Sequence, residues 1–336
     1  MINSVRHDRI FSAAFIVALA FFFSSTPTQA ADQDLRKATQ ALISGGTVQA
    51  KGHARSALKE EPGSRLAHWI EAQSLLALAG RPVEINGVDQ EFLDEARVRL
   101  EVTPSGMLPR NLMVMPAAAE KNVPVLLADA ERSRIYVFAS KDGVPTLIDE
   151  FYTSIGALGF DKAEEGDRKT PLGVYRIRYE IRDPRKDGFL GKMAMTLDYP
   201  NAYDNMKGRT GSGIWIHGVP DFLHVRPPKS SDGCLAVSNR DLQRLRGYVR
   251  YQESQIVVVP KVEWITPKQW QANYVKAVKD FALHYPREEL GVFYVNDSWP
   301  WVLSVSSATA PNRFRREYWE RSRFGQLRRV LQEPLS

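Results

Sequence analysis

The chain has 336 residues, a length that suits about two domains and a sizeable buried core. Hydrophobic residues make up 43% and charged residues 25%, values near the globular average that argue against disordered, collagen-like and coiled-coil classes. The single cysteine, Cys234, excludes an internal disulfide and a thiolate cluster for zinc or iron–sulfur ligation. The net charge of +6 is too small for a dedicated nucleic-acid binder, so no nucleic-acid partner is expected.

The first thirty residues have the pattern of a secretory signal peptide. Arg6 and Arg9 precede an uncharged run over residues 10–23, and small residues follow up to Ala30. This run is shorter than the roughly 20 apolar residues of a membrane-spanning helix, so an uncleaved anchor is the weaker alternative. We therefore predict that residues 1–30 are a cleaved signal peptide, that the protein is exported, and that membrane contact is not required.

Residues 31–115 are predicted to form a helical accessory region. A Pro-Gly pair at residues 62–63 separates a helix around residues 47–60 from a second helix, which Gly80-Arg81-Pro82 ends. Apolar residues in the second helix recur at the 3.6-residue period.

The pattern then changes to that of strands. Alternating residues at 135–140 and 146–153 flank Asp142-Gly143, a turn pair typical of a β-hairpin. The two segments therefore predict neighbouring antiparallel strands.

Residues 174–181 give the clearest alternation in the chain. Tyr and Ile alternate there with Arg and Glu, which predicts a strand with one face in solvent. Ser238 is a favourable N-cap for a helix over about residues 240–249. These elements indicate a mainly β domain over about residues 124–260, with one intercalated helix.

The C-terminal region, residues 262–336, is rich in tryptophan and arginine. It holds five of the seven tryptophans and, between residues 313 and 329, a group of seven arginines. Two interpretations stay open: a surface that binds glycans or the cell wall, or core tryptophans with arginines on a solvated helical face.

Cys234 is placed as a nucleophile would be, directly after a Ser-Asp-Gly loop and at the start of an apolar segment. A free thiol has a pKa of about 8.5, so a nucleophilic cysteine needs a base or a cation beside it. The best candidate base is His217, seventeen residues upstream at the end of an apolar run. The amides of Gly233 and Cys234 are candidate oxyanion-hole donors. On the residues alone, a buried cysteine and a structural histidine remain the alternative.

At these residues the sequence resembles the L,D-transpeptidase (YkuD-type) catalytic domain family. The family pattern is a strand ending in His-Gly, followed by a loop and Ser-x-Gly-Cys, with an Asn further on. The matching segments are residues 216–218, residues 231–239, Thr170-Pro171-Leu172-Gly173-Val174-Tyr175 and Ser154-Ile155-Gly156. The resemblance covers about residues 124–260 and is nearest to the branch that includes cell-shape L,D-carboxypeptidases.

This resemblance implies a fold class and a location. The catalytic domain would be a YkuD-like β-sandwich with an intercalated helix, flanked by the α-helical N-terminal region and a small α+β C-terminal region. An exported protein of this family is expected in the periplasm.

The resemblance also implies roles for individual residues. The nucleophile falls on Cys234, the general base on His217, and the backbone carbonyl that orients the histidine on Gly218. Ser231 and Gly233 match the loop that shapes the site, and both are therefore substrate-binding candidates.

One departure from the family pattern concerns charge. Ala236 stands where most members have an arginine that could hold a carboxylated peptide. Arg209 and Arg226 are the candidate replacements and complete the predicted substrate-binding set.

The implied reaction is a two-step acyl transfer on peptidoglycan stem peptides. Cys234 would attack the carbonyl between the diamino acid at position three and the terminal D-alanine, and a thioester acyl-enzyme would remain. An amine on peptidoglycan or on a wall-anchored protein would resolve the thioester as a transpeptidase does, and water would resolve it as an L,D-carboxypeptidase does. We expect no cofactor and no metal.

Two other function classes remain open. A zinc peptidase would use His217, Asp221 and His224, but the spacing of seven between the histidines matches no familiar ligand motif. A non-catalytic peptidoglycan-binding scaffold would attach through the aromatic C-terminal region.

Overall fold

The computed structural model of the protein describes residues 27–81, 90–116, 123–182, 188–281, 284–285, 288–307, 310–323 and 326–334. Residues 1–26, most of the predicted signal peptide, lie outside this set, and the predicted cleavage site after Ala30 lies within the first helix. None of the described helices has both the length and the apolar character needed to cross a bilayer.

Four helices form the N-terminal region: α1 (Pro27–Ile43), α2 (Thr47–Glu60), α3 (Arg65–Leu78) and α4 (Gln90–Leu100). The buried face of α2 consists of alanines spaced three to four residues apart, and these pack with Leu66 and Ile70 of α3. Ser64 caps α3, because its hydroxyl accepts a hydrogen bond from the Ala67 amide at 3.3 Å. The two helices predicted on either side of the Pro-Gly pair are therefore confirmed as α2 and α3.

An eight-stranded mixed sheet forms the centre of the molecule. In spatial order its strands are β11 (Leu235–Ala236), β9 (Trp215–His217), β8 (Ala194–Leu197), β7 (Gly173–Ile181), β12 (Gln255–Val259), β3 (Val125–Asp129), β4 (Arg134–Lys141) and β5 (Val144–Tyr152). The β4–β5 hairpin is confirmed, and its turn residues Asp142 and Gly143 have φ values of 52° and 81°. Helix α5 (Ala202–Met206) follows β8, and α6 (Asn239–Tyr248) confirms the helix predicted after Ser238.

The two edges of this sheet meet at one point. Ser154, just beyond β5, exchanges both backbone hydrogen bonds with Ala236 of β11, at 2.7 and 2.9 Å. Beside this bridge the short strands β6 (Ile155–Gly156) and β10 (Lys229–Ser231) pair in parallel. Strand β11 is therefore bonded on both sides, which fixes the segment that follows Cys234.

The C-terminal region is a second, five-stranded sheet with a helix on one face. Its strands, in spatial order, are β17 (Leu327–Gln332), β16 (Ala310–Arg321), β15 (Trp301–Ser307), β14 (Glu288–Phe293) and β2 (Leu112–Val114). Helix α7 (Pro267–Phe281) packs Ala277 and Phe281 into the core of this sheet. The predicted fold class, a mainly β domain between a helical region and an α+β region, is confirmed.

One predicted boundary needs correction. The helical region was expected to reach residue 115, but its last helix ends at Leu100. Strand β2 instead pairs with β14, and β1 (Leu108–Pro109) pairs with β13 (Trp264–Ile265). All three residues of β2 are buried, so this apolar segment gains its cover from a part of the chain far away in sequence.

Strand β7 also departs from its prediction. Residues 173–177 are all buried, and Arg176 is only 9% exposed. The Arg176 guanidinium carbon lies 4.4 Å from the centre of the Phe314 ring of β16. The prediction of a solvent-facing side was wrong for this half of the strand, because the C-terminal sheet covers it.

Three of the five tryptophans of the C-terminal region lie in the core. Trp270, Trp299 and Trp319 are all buried, which confirms the core interpretation for these three. Under that interpretation the seven arginines between residues 313 and 329 were expected on a helical face, but six of them lie on strands β16 and β17.

Arg316 of β16 joins the two sheets through a buried ion-pair network. Its side chain donates to Asp198 at 2.5 and 3.2 Å, to Glu333 at 2.7 and 2.9 Å, and to the Val174 carbonyl at 2.7 Å. All five N–H donors of the guanidinium are thereby used. Asp198 follows β8 and Val174 lies in β7, so one side chain connects the C-terminal sheet to two central strands.

Removing this cation should destabilise the protein strongly. Arg316→Met is expected to lower the free energy of unfolding by about 3 to 5 kcal/mol, because two carboxylates then stay buried without their partner. Urea titration followed by circular dichroism measures the change. The matched control is Arg178→Met at an exposed position of β7, where we expect less than about 0.5 kcal/mol. Equal effects of the two substitutions would contradict the prediction.

Candidate active site

Cys234 immediately precedes strand β11 at the junction of the sheet edges. Strand β11 runs parallel to β9, with Ala236 opposite His217. Cys234 lies in the bend that leads directly into β11, two residues before the Ala236 position that pairs with His217. The Cys234 side chain is partly exposed, and its Sγ lies 3.3 Å from the Gly213 carbonyl oxygen, to which it can donate. The pairing thus brings together segments that are distant in sequence.

His217 is the last residue of β9 and is buried. Its Nδ1 lies 2.6 Å from the carbonyl oxygen of Gly218. A carbonyl can only accept, so this contact favours the tautomer with the proton on Nδ1 and the lone pair on Nε2. The Phe189 ring stacks on the imidazole with a centroid separation of 6.2 Å. The histidine is therefore held in an orientation in which Nε2 can act as a base.

Asn239, the first residue of α6, fixes the peptide that follows His217. Its Nδ2 donates to the Val219 carbonyl at 2.8 Å, and its Oδ1 accepts from the Val219 amide at 3.2 Å. A Cβ atom on Gly218 would lie 2.1 Å from Asn239 Oδ1, so only glycine leaves room for this clamp. Sequence reasoning found Asn239 only as a motif position, and the structure gives it a specific contact.

The loop before Cys234 is organised by Ser231. The Ser231 hydroxyl accepts from the Gly233 amide at 3.1 Å and donates to the Cys234 carbonyl at 2.6 Å. Gly233 has φ of 122°, and a Cβ there would lie 2.6 Å from the Lys169 carbonyl oxygen. The Gly233 amide, predicted as an oxyanion-hole donor, is therefore bonded within its own loop.

Arg226 lies close to the histidine through an intervening aromatic ring. Its guanidinium carbon is 4.3 Å from the centre of the Phe189 ring, the same ring that stacks on His217. The Arg226 carbonyl accepts from the Tyr152 hydroxyl at 2.9 Å, which anchors the loop. Sequence reasoning missed Phe189, because no motif residue marks its position.

Arg209 is engaged within the protein. It donates to Asp204 at 3.1 Å and to Asp161 at 3.4 Å, and it lies 4.6 Å from the Trp299 ring centre. The segment that begins here ends at Gly213, the residue that contacts the Cys234 thiol. Arg209 thus anchors the first residue of the segment 209–213, which ends beside the cysteine.

The residues of the zinc alternative make other contacts. His224 Nε2 lies 2.7 Å from Oε2 of Glu61, which follows helix α2. His217 contacts the Gly218 carbonyl through Nδ1. Within the described ranges, no group of three His, Cys, Asp or Glu residues could hold a metal ion. The described geometry therefore gives the zinc alternative no support.

A buried carboxyl lies where the helical region meets the loop that follows His217. Asp241 of α6 is 5% exposed, with Oδ1 3.7 Å from Arg244 Nη1. Burial, together with the negative charge of Glu61, raises the pKa of Asp241 to about 6. Near neutral pH the ionised form of Asp241 therefore destabilises the native state.

Comparison with known proteins agrees with the motif analysis. Residues 124–259 match the family model of the L,D-transpeptidase catalytic domain, YkuD. The predicted resemblance is confirmed for this domain. The Cys234 loop, His217 and the Asn239 clamp all fall within the matched segment.

Relatives cover different shares of the chain. YafK of Escherichia coli K12 is 31% identical over 94 residues, which are 28% of this chain and 33% of YafK, so the chain spans about a third of that relative. Bd1075 of Bdellovibrio bacteriovorus has a similar structure, with a TM-score of 0.54 and 20% identity, covering 68% of this chain and 97% of Bd1075. The helical cell shape determining protein Pgp2 of Campylobacter jejuni has a TM-score of 0.50 and 17% identity, covering 67% and 95%. At these identities, the two solved structures share the fold.

Stability should fall as pH rises through the titration range of Asp241. Its native pKa of about 6 lies above the ordinary value of 3.8, so the native state holds the proton longer than the unfolded chain. Asp241→Asn removes this dependence and should raise the free energy of unfolding at pH 8 by about 1 to 3 kcal/mol. The gain should shrink toward pH 4, and urea titrations across this range measure it. Asp142→Asn, at an exposed turn position, is the control, and a gain independent of pH would contradict the assignment.

Alkylation tests the pairing of thiol and imidazole directly, because Cys234 is the only cysteine. We expect His217→Ala to slow the reaction of Cys234 with iodoacetamide at pH 7 by about tenfold, since the thiolate loses its base. His68→Ala on helix α3 should leave the rate unchanged. Intact-protein mass spectrometry gives both rates, and an unchanged rate in His217→Ala would show that the histidine does not activate the thiol.

Proposed function

We propose that this protein is a periplasmic, cysteine-dependent acyl transferase that acts on peptidoglycan stem peptides. The observation that supports the proposal is the β9–β11 pairing, which sets Ala236, two residues after Cys234, opposite His217 inside a segment that matches the L,D-transpeptidase catalytic domain. Export through the predicted signal peptide, residues 1–30, would deliver the protein to the compartment of this substrate.

The first step forms a thioester. His217 Nε2 accepts the thiol proton, and the Cys234 sulfur attacks the carbonyl carbon between the diamino acid and the terminal D-alanine. The Gly218 carbonyl stabilises the imidazolium through Nδ1–H, as a carboxylate does in other triads. When the amide C–N bond breaks, His217 returns the proton to the departing D-alanine amine.

The second step releases the acyl group. An amine on a neighbouring stem peptide or on a wall-anchored protein attacks the thioester and gives a cross-link, or water attacks and gives a tripeptide. In either case the attacking group loses a proton to His217, and the sulfur leaves as a thiolate that is protonated again. The acceptor decides between transpeptidase and L,D-carboxypeptidase action.

Arg226 is the favoured cation for a substrate carboxylate. It packs on the ring that stacks on His217, so it lies one ring away from the proposed base. Arg209 is proposed for the same role, in which a carboxylate would compete with Asp204 and Asp161. Ser231 and Gly233 would act through the shape of the loop that presents Cys234.

The test is incubation of the purified protein with disaccharide tetrapeptide, with and without an amine acceptor. We expect Cys234→Ser and His217→Ala to lose at least about 100-fold in rate, since each removes a group that takes part in bond making. Mass spectrometry separates tripeptide, the product of water, from acceptor-linked peptide, the product of an amine.

His68→Ala is the matched histidine control and should retain the parent rate. Absence of either product from the parent protein, together with wall binding by Cys234→Ala, would favour the scaffold alternative. Activity that survives in Cys234→Ala and disappears on chelation would favour the zinc alternative.

A further inference from the structure

A cavity of about 310 Å³ lies between the central sheet and the C-terminal sheet. Its walls come from strand β7, the segment after β8, strand β16 and the residues after β17. The charged residues that line it are Arg176, Arg178, Asp198, Arg316 and Glu333. It therefore combines three guanidinium groups with two carboxylates.

The side-chain carboxylates of this cavity have their oxygens occupied. Asp198 accepts from Arg316 through both oxygens and also from the backbone amide of Arg176 at 2.7 Å. Glu333 accepts twice from Arg316 through Oε2 and from the Tyr318 hydroxyl through Oε1 at 3.1 Å. Arg316 in turn has no donor to spare.

Arg176 differs from Arg316 in this respect. Its Nε is buried without a hydrogen-bond partner among the described residues. Its contact is with the Phe314 ring, which stacks on the guanidinium face and leaves the donor edge available. Burial and the positive charge of Arg316 lower the pKa of Arg176 from its ordinary value. A guanidinium in this position is stabilised by an anion that accepts at its edge.

Arg178 adds a further donor at the rim. It lies two residues along β7, so its side chain projects from the same face as that of Arg176, and it is exposed. The charges of Arg176, Arg316, Asp198 and Glu333 cancel, and Arg178 gives the cavity a net charge of about +1. The cavity thus offers unused donors, while its carboxylates are already satisfied.

We propose that this cavity binds an oxyanion, a carboxylate or phosphate group of a small molecule or peptide, with Arg176 as the principal donor and Arg178 as the second. Planar guanidinium donors match the two oxygens of such groups in a bidentate way. Asn201 and Tyr199, which also line the cavity, bond to the Val174 and Thr210 carbonyls and shape its wall.

The proposal is independent of the acyl-transfer chemistry and is tested by binding alone. The protein is prepared as Cys234→Ala to prevent turnover. Isothermal titration calorimetry is then performed with inorganic phosphate and, separately, with disaccharide tetrapeptide, whose anionic groups are carboxylates. Saturable binding of either probe that weakens at least tenfold in Arg176→Gln supports the site, and the probe that binds identifies the source of the oxyanion.

Additional variants separate binding from folding. Arg176→Lys keeps the charge but loses the planar fork, so it should bind with intermediate affinity. Arg178→Gln, at an exposed position, should fold normally and weaken binding several-fold. Arg250→Gln, an exposed arginine elsewhere, should bind as the parent does. Failure of both probes to bind the parent, or equal binding by the parent and by Arg178→Gln and Arg176→Gln, would overturn the proposal.

Discussion

Parallel pairing of β9 with β11 is the contact on which the candidate site depends. Neither strand exceeds three residues, so neither is stable alone. Their pairing is supported on one side by β8 and on the other by the bridge between Ser154 and Ala236. The site therefore lies where the two edges of the sheet meet, and any change that opens this junction separates Cys234 from His217.

The loop after His217 has no regular structure, and it is held by side chains from several directions. Asn239 holds its start, Phe189 packs under Arg226, and Glu61 from the helical region pairs with His224. Each contact restricts a different part of the loop, and the Asn239 contact is the one next to the Gly218 carbonyl. The helical region thus contacts the loop that follows His217.

Local signals predicted much of this protein. The Asp142-Gly143 turn, the Ser238 cap and the His-Gly and Ser-x-Gly-Cys segments are each decided by residues within a few positions, and a single sequence can be read at that range. Contacts between distant segments were not predicted. The covering of Arg176 by Phe314 and the pairing of β2 with β14 depend on which distant segments pack together. The hydrophobic periodicity of a segment indicates only the secondary structure of that segment and the face that it buries. Phe189 was missed for the same reason, since its role exists only beside His217.

The pairing of β2 with β14 has a consequence for how the chain is assembled. Val114 precedes the catalytic domain and Val292 follows it, yet the two are neighbours in one sheet. During synthesis from the amino end, β2 leaves the ribosome long before its partner exists. Strand β2 therefore stays without this partner until residues 288–293 have been synthesised. The domain that matches the L,D-transpeptidase family model is thus inserted in the chain between β2 and β14, two neighbouring strands of the C-terminal sheet.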